Sequence, residues 1–309
     1  MNKFEFADDN KRYHTLSFYN RTHFGTKIYK AVIDAGFTCP NIDGTKGMGG
    51  CIFCDGGSGY FTNGCISITE QLERERERIE RKVADPQIIA YFQANTNTYA
   101  DINTLRSYYK EAEKFGVKGI AIATRGDCVS HETIELLREL SVPATVELGL
   151  QSVHDKTAEI INRGHTFNEF LQGYEMLKTA GIRVCVHIIN GLPCETSEMM
   201  LETAERLGRL CPDGVKIHLL HVIRGTKLAE MFQKGEYTPL TKEEYVDITV
   251  RQLELLPPET VIERITGDGD KSKLLAPLWS MDKISVLGAI DVKQREIDSW
   301  QGKYFKETI

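Results

Sequence analysis

The chain has 309 residues, 41% of them hydrophobic, and a formal net charge of -6 at pH 7. This length and composition allow one sizeable buried core, and the acidic balance excludes wholesale wrapping by nucleic acid while leaving room for a local basic patch. The N-terminus lacks an apolar signal segment and no run approaches the ~20 apolar residues of a membrane span, so we expect a soluble cytoplasmic protein without membrane contacts.

Short β-branched runs alternate with amphipathic stretches of helical period, which is typical of βα units around a parallel sheet. We expect an N-terminal segment at 1–28, a barrel of six units at 29–225 and a C-terminal extension or cap at 226–309. The extension contains one clear helix near 241–256 and a strand at 261–265. The six barrel strands are predicted at 29–33, 88–92, 119–123, 144–150, 182–189 and 215–220.

Local signals mark the ends of two predicted helices. Asp101 precedes a helical stretch that meets Gly116, a residue type that commonly follows a helix C-terminus. Thr166 and Glu169 have the spacing of a capping box, in which each side chain bonds the other residue's backbone. The alternating Glu and Arg residues at 73–78 are more typical of a solvated helix face than of an interaction motif.

The eight cysteines favour reduced thiols over disulfides, because the chain is long and shows no secretory signal. Cys39, Cys51 and Cys54 follow the first predicted strand, at the end of a parallel sheet where βα loops build active sites. Three soft thiolates suit iron–sulfur ligation, and they leave one iron of a 4Fe–4S cluster open to another ligand. With Cys65 the same thiols would instead close a tetrahedral zinc site, and the cysteines alone leave that alternative open.

The segment AlaGlyPheThrCysProAsnIleAspGly at 35–44, followed by Cys51 and Cys54, resembles the YhcC-like group of radical S-adenosylmethionine (SAM) proteins, close to the Elongator catalytic-subunit branch. The resemblance covers nearly the whole chain, and the order and spacing of the motifs make it specific. The other motifs are TyrPheGlnAlaAsnThrAsnThr from Tyr91, ThrArgGlyAspCys from Thr124, GlyLeuGlnSer from Gly149, AsnArgGlyHisThr from Asn162, GlyLeuProCysGluThr from Gly191 and ArgIleThrGlyAspGly from Arg264.

The resemblance implies an α/β fold, a partial (β/α)6 TIM-like barrel with a C-terminal α+β extension. It also implies two cofactors: a 4Fe–4S cluster on Cys39, Cys51 and Cys54, and SAM, which chelates the open iron through its amino and carboxylate groups. Reductive cleavage of SAM would give methionine and a 5′-deoxyadenosyl radical that abstracts hydrogen from a substrate. Such an enzyme requires an electron donor such as flavodoxin or ferredoxin.

The first candidate SAM contacts follow the second predicted strand. Related enzymes use a glycine-rich segment there to contact the methionyl amino group, whereas this sequence has the polar residues Gln93, Asn95 and Thr96. Their side chains would replace backbone contacts, and a simple Asn/Thr-rich turn is the alternative.

Further candidate SAM contacts lie on the fourth and fifth strands. Glu147 and Gln151 share one strand face, which we expect to be the barrel lumen. Gln151 and Arg163 match the spacing of a ribose-contacting Gln and a carboxylate-contacting Arg in relatives, with a surface ion pair as the alternative for Arg163. His187 precedes Gly191 by four residues, where some relatives place an Asp that bonds the ribose. A core histidine is the alternative.

Candidate substrate contacts lie at the end of the sixth strand and in the extension. Cys128 and Cys194 are candidate hydrogen donors, although free cysteines usually behave as small core residues. Tyr60 or Phe61 could stack on a base, although core packing is the stronger expectation for both. The polar candidates are His218, His221, Arg224, Arg264, Asp268 and Lys271.

The leading interpretation is a radical SAM enzyme; a zinc-stabilised nucleic-acid-binding module and an electron-transfer protein are the alternatives. The resemblance suggests a tRNA wobble uridine as substrate, and specifically the MnmL-type conversion of a 5-carboxymethylaminomethyl to a 5-aminomethyl side chain. A peptide or a small metabolite is the alternative substrate. Binding of tRNA by an acidic protein requires local cations. The candidates are Lys216, Arg224, Lys271 and Lys273.

Overall fold

The computed structural model describes residues 4–55, 64, 66–267 and 271–306. Its strands are β1 Ile28–Ile33, β2 Gln87–Phe92, β3 Ile120–Thr124, β4 Ala144–Gln151, β5 Arg183–Asn190, β6 Gly214–Leu219, β7 Val222–Ile223, β8 Val261–Ile265 and β9 Leu274–Ala276. Seven of them form one parallel sheet in the order β1, β2, β3, β4, β5, β6, β8. The other two, β7 and β9, pair antiparallel.

Helices connect the strands, and the capping residues predicted from the sequence are found at helix ends. The Asp101 side chain caps its helix by accepting bonds from two backbone N–H groups, and Thr166 and Glu169 form the predicted capping box. The helices are α1 Leu16–Phe24, α2 Ile68–Glu80, α3 Ile102–Lys114, α4 His131–Arg138, α5 Asp155–Ile160, α6 Phe167–Thr179, α7 Ser197–Arg209, α8 Lys227–Gln233, α9 Lys242–Leu255 and α10 Lys283–Glu296.

The partial TIM-like barrel is confirmed, and each of the six predicted strands is correct to within one residue at either end. The sheet nevertheless has a seventh strand. The predicted strand at 261–265, placed in the extension, is β8, and it pairs parallel with β6. The predicted extension, residues 226–309, therefore contributes one strand to the barrel sheet. The division of the chain into three segments stays a prediction.

The two faces of the central strands differ in chemistry. Outward-facing residues such as Leu148, Val186 and Ile217 pack with the helices in the main hydrophobic core. Inward-facing residues alternate with them and include polar side chains, which is unusual because the strands of a parallel sheet are commonly apolar on both faces. The lumen is therefore polar. Glu147 on β4 and Lys216 on β6 are two of its inward-facing residues.

The sheet is open between its edge strands β1 and β8. Across that gap, Lys30 Nζ on β1 lies 2.9 Å from Glu263 Oε2 on β8. The N-terminal segment adds backbone cover at the same edge, where the N–H of Ile262 donates to the carbonyl of His14 at 2.7 Å. Side chains and a short segment thus bridge the two edges. Within the described ranges no helix has the length and apolar character needed to cross a bilayer.

Candidate active site

The cysteine loop, residues 39–54, follows β1 at the carboxyl ends of the barrel strands. Cys39 and Cys51 are half-buried and Cys54 is exposed. The loop turns tightly, with the N–H of Cys54 donating to the carbonyl of Cys51 at 3.0 Å. Ile52 is anchored on both sides: its N–H donates to Ile161, and its carbonyl accepts from Leu228 in α8. The loop is thereby joined to the barrel and to the C-terminal segment.

A second segment, residues 161–165, holds the cysteine loop in place. The Asn162 amide donates to the carbonyls of Gly50 at 2.7 Å and Met48 at 3.1 Å. In return, the Asn41 amide donates to the carbonyl of Asn162. These bonds satisfy backbone groups that a glycine-rich loop would otherwise leave to water. They explain why the motif from Asn162 accompanies the distant cysteine motif.

Two glycines permit this close packing. A Cβ on Gly47 would lie 2.3 Å from Asn41 Oδ1, and a Cβ on Gly164 would lie 2.5 Å from the same atom. Real side chains do not tolerate such approaches, so larger residues would displace Asn41. Gly164 also has φ of 75°, a backbone conformation that favours glycine.

Arg125 places a positive charge close enough to the cysteine loop to act on Cys51. Its guanidinium forms two bonds of 2.9 Å to Asp127 and donates to the carbonyls of Arg163 and Gly164. Burial, with the negative charges of Cys54 and Cys39, raises the pKa of Cys51 to about 12, and Arg125 opposes that rise. A thiolate at Cys51 therefore requires a strong positive partner, as metal ligation provides.

Cys39 and Cys54 are close enough to Cys51 for their charges to act on it. Among the residues that the structure describes, no three His, Cys, Asp or Glu side chains converge as they would around a single metal ion. Cys65, the fourth ligand of the alternative zinc site, lies outside the described residues, as do Tyr60, Phe61 and Asp268. The assignment of Cys39, Cys51 and Cys54 to the cluster stays a prediction.

Gln93, Asn95 and Thr96 lie directly after β2 and beside the start of the cysteine loop. The Asn95 amide donates to the carbonyl of Phe37 at 2.8 Å, and the N–H of Thr96 donates to the carbonyl of Thr38 at 3.2 Å. Both contacts fix the residues that precede Cys39. In this structure these bonds give the segment a loop-positioning role, and a contact with SAM stays a prediction.

Gln151 ends β4 at a break in the strand register, with φ of 67°. Its amide nitrogen packs so close to Gly149 that a Cβ there would lie 2.8 Å away. Among the described residues its buried Oε1 has no hydrogen-bond partner. Buried polar atoms are rarely left unpaired, so a polar ligand fits here.

Arg163 is buried rather than on the surface, and most of its guanidinium is used by the protein. It donates to the carbonyls of Leu150 and Ser152 and, at 3.0 Å, to that of His165. Within the described part of the chain its Nη2 atom alone has no hydrogen-bond partner. Arg163 therefore shapes the end of β4, and only Nη2 remains for the predicted contact with a carboxylate.

Glu147 faces the lumen, as its strand position predicts, and is completely buried. Its carboxylate accepts bonds from Lys30 at 2.6 Å, Tyr91 at 2.6 Å, His187 at 2.9 Å and Lys216. Burial alone would raise its pKa, but Lys216 and Lys30 outweigh burial and hold that pKa well below its usual range. Glu147 is thus a buried carboxylate that accepts bonds from four side chains below the carboxyl ends of the strands.

His187 belongs to this buried layer. Burial and the charge of Lys216 lower its pKa, although Glu147 opposes the shift, so the ring is neutral near pH 7. Its Nε2 is engaged by Glu147, which leaves Nδ1 as the nitrogen for any contact with SAM. Lys216, proposed as a tRNA contact, is buried against Glu147, and that expectation is wrong because the side chain points into the barrel.

The sequence interpretation missed several lumen residues, namely Lys30, Tyr91, Arg183 and Glu263. Lys30 and Arg183 both bind Glu263, at 2.9 and 2.7 Å. A signal was present, because Lys30 and Glu263 are charged residues inside mostly apolar strand runs. Their pairing joins strands far apart in sequence and could not be read from spacing.

Three cations lie on the antiparallel ribbon formed by β7 and β9 and its flanking residues. The N–H of Arg224 donates to the carbonyl of Lys273, whose ammonium lies 3.1 Å from Asp55 beside Cys54. Arg224 and Lys271 are exposed. We call Arg224, Lys271 and Lys273 the cationic ribbon. It borders the cysteine loop.

Cys128 and Cys194 differ in setting. Cys128 is half-buried beside Asp127, and burial with that carboxylate raises its pKa to about 12. Cys194 is exposed with φ of 65°. Burial keeps the Cys128 thiol protonated, which is the form that can give up a hydrogen atom, and a role for Cys128 or Cys194 in hydrogen transfer stays a prediction.

The chain is similar to known proteins over its whole length. The Radical SAM superfamily model matches residues 44–207, and the Radical_SAM C-terminal domain model matches residues 212–296. YtqA of Bacillus subtilis is 44% identical over 99% of this chain and 96% of its own, and YhcC of Escherichia coli is 35% identical over 87% of each. The tRNA uridine(34) acetyltransferase of Methanocaldococcus infernus is 30% identical over 51% of this chain and 30% of its own.

The solved structure of Elp3 from Methanocaldococcus infernus, with an N-terminal deletion, has the same fold. It matches with a TM-score of 0.68 and 19% identity, covering 89% of this chain and 64% of that chain. The resemblance to the YhcC-like group is thereby confirmed. The chain belongs to the radical SAM superfamily, the enzymes that combine a 4Fe–4S cluster with SAM.

Proposed function

We propose that this enzyme holds its cluster on Cys39, Cys51 and Cys54 and modifies the wobble uridine of tRNA, converting a 5-carboxymethylaminomethyl side chain to 5-aminomethyl. The observation that carries the proposal is the position of the cysteine loop at the barrel mouth. The loop stands between a polar lumen and the cationic ribbon, which Lys273 joins to Asp55. A nucleoside could enter the lumen from a tRNA held on the ribbon.

The protein's own residues have separate tasks in this proposal. Asn162 and Asn41 keep the cysteine loop rigid. Gln151 Oε1, which has no hydrogen-bond partner among the described residues, and Arg163 Nη2, which has only an ion pair of 3.8 Å with Asp155, are the atoms that would bind SAM. Glu147 holds His187 in one orientation beside them. When bound, the cluster and SAM supply the 5′-deoxyadenosyl radical that removes hydrogen from the substrate. The walls of the barrel exclude water from that chemistry.

Radical chemistry suits the proposed reaction, because the C–N bond of a carboxymethylamine resists hydrolysis until its methylene is oxidised. Loss of a hydrogen atom, then of an electron and a proton, converts N–CH2–COO⁻ to an imine. Water hydrolyses the imine to the aminomethyl group and glyoxylate. Each imine formed consumes one SAM, which becomes methionine and 5′-deoxyadenosine. The electron that the substrate radical loses balances the electron used in SAM cleavage.

Two observations support tRNA as the substrate. Relatives include a protein named tRNA uridine(34) acetyltransferase, and the cationic ribbon offers phosphate contacts on an otherwise acidic protein. Phosphate contacts release counterions, so binding should weaken steeply as salt rises. Flavodoxin or ferredoxin would supply the electron. A peptide or small metabolite remains the competing substrate, and nothing in the lumen favours either over a nucleoside.

The test uses reduced, reconstituted enzyme, SAM and tRNA from a strain lacking the gene. We expect 5-carboxymethylaminomethyluridine to disappear while 5-aminomethyluridine, 5′-deoxyadenosine and glyoxylate appear in equal amounts by mass spectrometry. The Cys54→Ala variant should form none of them. SAM turnover coupled to a peptide or metabolite, with tRNA unchanged, would contradict the proposed substrate, and zinc without iron and sulfide would contradict the cluster.

A further inference from the structure

Asn41 lies inside the cysteine loop and is completely buried. Its backbone carbonyl accepts from the N–H of Gly50 at 2.8 Å, one residue before Cys51. The tip of the loop folds back over the same place, where the N–H of Lys46 donates to the carbonyl of Pro40 at 2.8 Å. The backbone of Asn41 is therefore fixed beside Cys51.

The side-chain amide of Asn41 directs its nitrogen at two acceptors. Nδ2 donates to the carbonyl of Asn162 and lies 3.9 Å from Cys51 Sγ, within the longer reach of a hydrogen bond to sulfur. A carbonyl oxygen can only accept, so the nitrogen of the amide, and not its oxygen, must face Asn162. An amide nitrogen carries two hydrogens, and one remains for the sulfur once the other is bonded to Asn162.

The oxygen end of the same amide has no comparable use. Among the described residues, the buried Oδ1 of Asn41 has no hydrogen-bond partner. It is also crowded, because a Cβ on Gly47 or on Gly164 would lie 2.3 or 2.5 Å from it. Buried polar atoms are rarely left unpaired, so an apolar side chain of the same shape would suit this position better if only space had to be filled. The value of Asn at this position therefore lies in its two N–H groups.

A donor beside a ligand sulfur has a known physical effect on an iron–sulfur cluster. Hydrogen bonds to the sulfurs are among the features that set the reduction potential of such clusters. Reduction adds one negative charge to the cluster and its cysteine sulfurs, so a donor on sulfur stabilises the reduced form more than the oxidised form. The bond thereby raises the reduction potential and makes electron uptake easier.

We propose that Asn41 tunes the cluster: its amide donates to the Cys51 thiolate and raises the reduction potential. The inference rests on the proposed function, because it requires a cluster held by Cys51 together with Cys39 and Cys54. Asn162 is a positioning residue in this arrangement, since its carbonyl turns the Asn41 amide toward the sulfur. The bond favours electron uptake from a flavodoxin or ferredoxin.

A purely structural role for Asn41 is the competing explanation. In that case its only task would be to hold the loop, and other residues that hold the loop should matter alike. Asn162 provides the matched control, because its own amide holds the loop through the carbonyls of Met48 and Gly50 at 3.1 and 2.7 Å. Asn162→Gly removes that amide but keeps the carbonyl that receives the Asn41 bond, and φ of 52° at this position suits glycine.

The first experiment measures the reduction potential. Reconstituted proteins without SAM are poised at a series of potentials with dithionite and mediators, and the reduced cluster is quantified by EPR after freezing. At equal iron and sulfide content, we expect Asn41→Ala to decrease the ratio of reduced to oxidised cluster about tenfold at a given potential, which is a shift of ~59 mV to lower potential for one electron. Asn41→Asp, which also places a carboxylate beside the thiolate, should shift the potential further in the same direction.

The control variant separates tuning from support of the loop. Asn162→Gly should lose iron to a chelator faster than the wild type, yet shift the potential by less than half as much as Asn41→Ala. An unchanged potential in Asn41→Ala, or an equal shift in Asn162→Gly, would overturn the tuning role.

The second experiment observes the bond in the unaltered chain. Protein labelled with ¹⁵N in its asparagine side chains is reduced and examined by pulsed EPR for coupling between the cluster's electron spin and ¹⁵N. We expect a coupling that disappears in Asn41→Ala and persists in Asn162→Gly, and its absence from the wild type would overturn the bond. An intact cluster with an unchanged potential in Asn41→Ala would overturn this inference alone, whereas a cluster that persists in Cys51→Ala would overturn the cluster assignment on which it rests.

Discussion

Replacing Glu147 by Gln should lower the free energy of unfolding by more than the same Glu-to-Gln change at an exposed ion pair. The variant keeps the size of the side chain but removes the charge that four donors share. Lys30 keeps Glu263 at 2.9 Å, but Lys216 keeps only the Tyr91 hydroxyl at 3.2 Å. Lys216 thus loses the carboxylate that it bonds directly, and the charge of Glu263 acts on it only from farther away.

Leaving one partner of a buried ion pair uncompensated typically costs about 3–5 kcal/mol. We therefore expect Glu147→Gln to lower the free energy of unfolding by that amount, measured by urea titration and circular dichroism at matched iron content. The double variant Glu147→Leu with Lys216→Met should recover much of the loss, because it removes both charges together. Measured together with the wild type and the single variants Glu147→Leu and Lys216→Met, the double variant completes a double-mutant cycle for the pair.

An exposed pair provides the control. Arg106 and Glu139 are bonded at 3.0 Å with about two fifths of each side chain exposed. Glu139→Gln should therefore change the free energy of unfolding very little. If Glu147→Gln costs no more than Glu139→Gln, water reaches the lumen lysines and the claim of a desolvated ionic layer is refuted.

The remaining predictions concern the cofactors, tRNA and acid. Single Ala variants of Cys39, Cys51 and Cys54 should lose most iron, whereas Cys65→Ala should retain it; an iron, sulfide and zinc assay decides. Gln151→Ala should keep the visible absorption of the cluster and lose ~1–3 kcal/mol of SAM binding by calorimetry, and unchanged affinity would remove that residue from the site. The logarithmic salt dependence of tRNA binding should become shallower in Arg224→Gln, by about one phosphate contact. Because the folded-state pKa of Glu147 is depressed, its contribution to stability should be complete above about pH 4.5 and decline as the pH falls further, which acid titration followed by circular dichroism can check.

Much of the barrel could be predicted because parallel strands are encoded locally. Each strand is a short β-branched run buried on its outward face, and the turn chemistry between the runs sets its ends to within a residue. The capping pair Thr166 and Glu169 is equally local. The seventh strand was found as a strand but placed outside the barrel, since pairing of Val261–Ile265 with β6 depends on a connection across α8 and α9.

The site was less predictable than the barrel. Its residue types indicate its chemistry, but the partners of each residue come from distant parts of the chain and are set by the fold. The sequence spacing assigned Arg163 to SAM, but the fold directs most of its guanidinium to the carbonyls at the end of β4. Lys216 was expected to contact tRNA at the barrel mouth, but its position on β6 directs the side chain inward to Glu147. Asn162 had no predicted role, because its bonds to the cysteine loop span over a hundred residues.

Buried ion pairs hold the two edges of this open barrel together, as backbone hydrogen bonds do in a closed barrel. A closed barrel joins its last strand to its first through hydrogen bonds, whereas here β1 and β8 are joined by the Lys30–Glu263 pair. Hydrophobic side chains at the same positions would fill the gap, but they would not bond one edge to the other in a fixed direction. Lys30 bonds both Glu147 and Glu263, and Arg183 also bonds Glu263. The buried charges of the lumen therefore hold together the two strands between which the sheet is open.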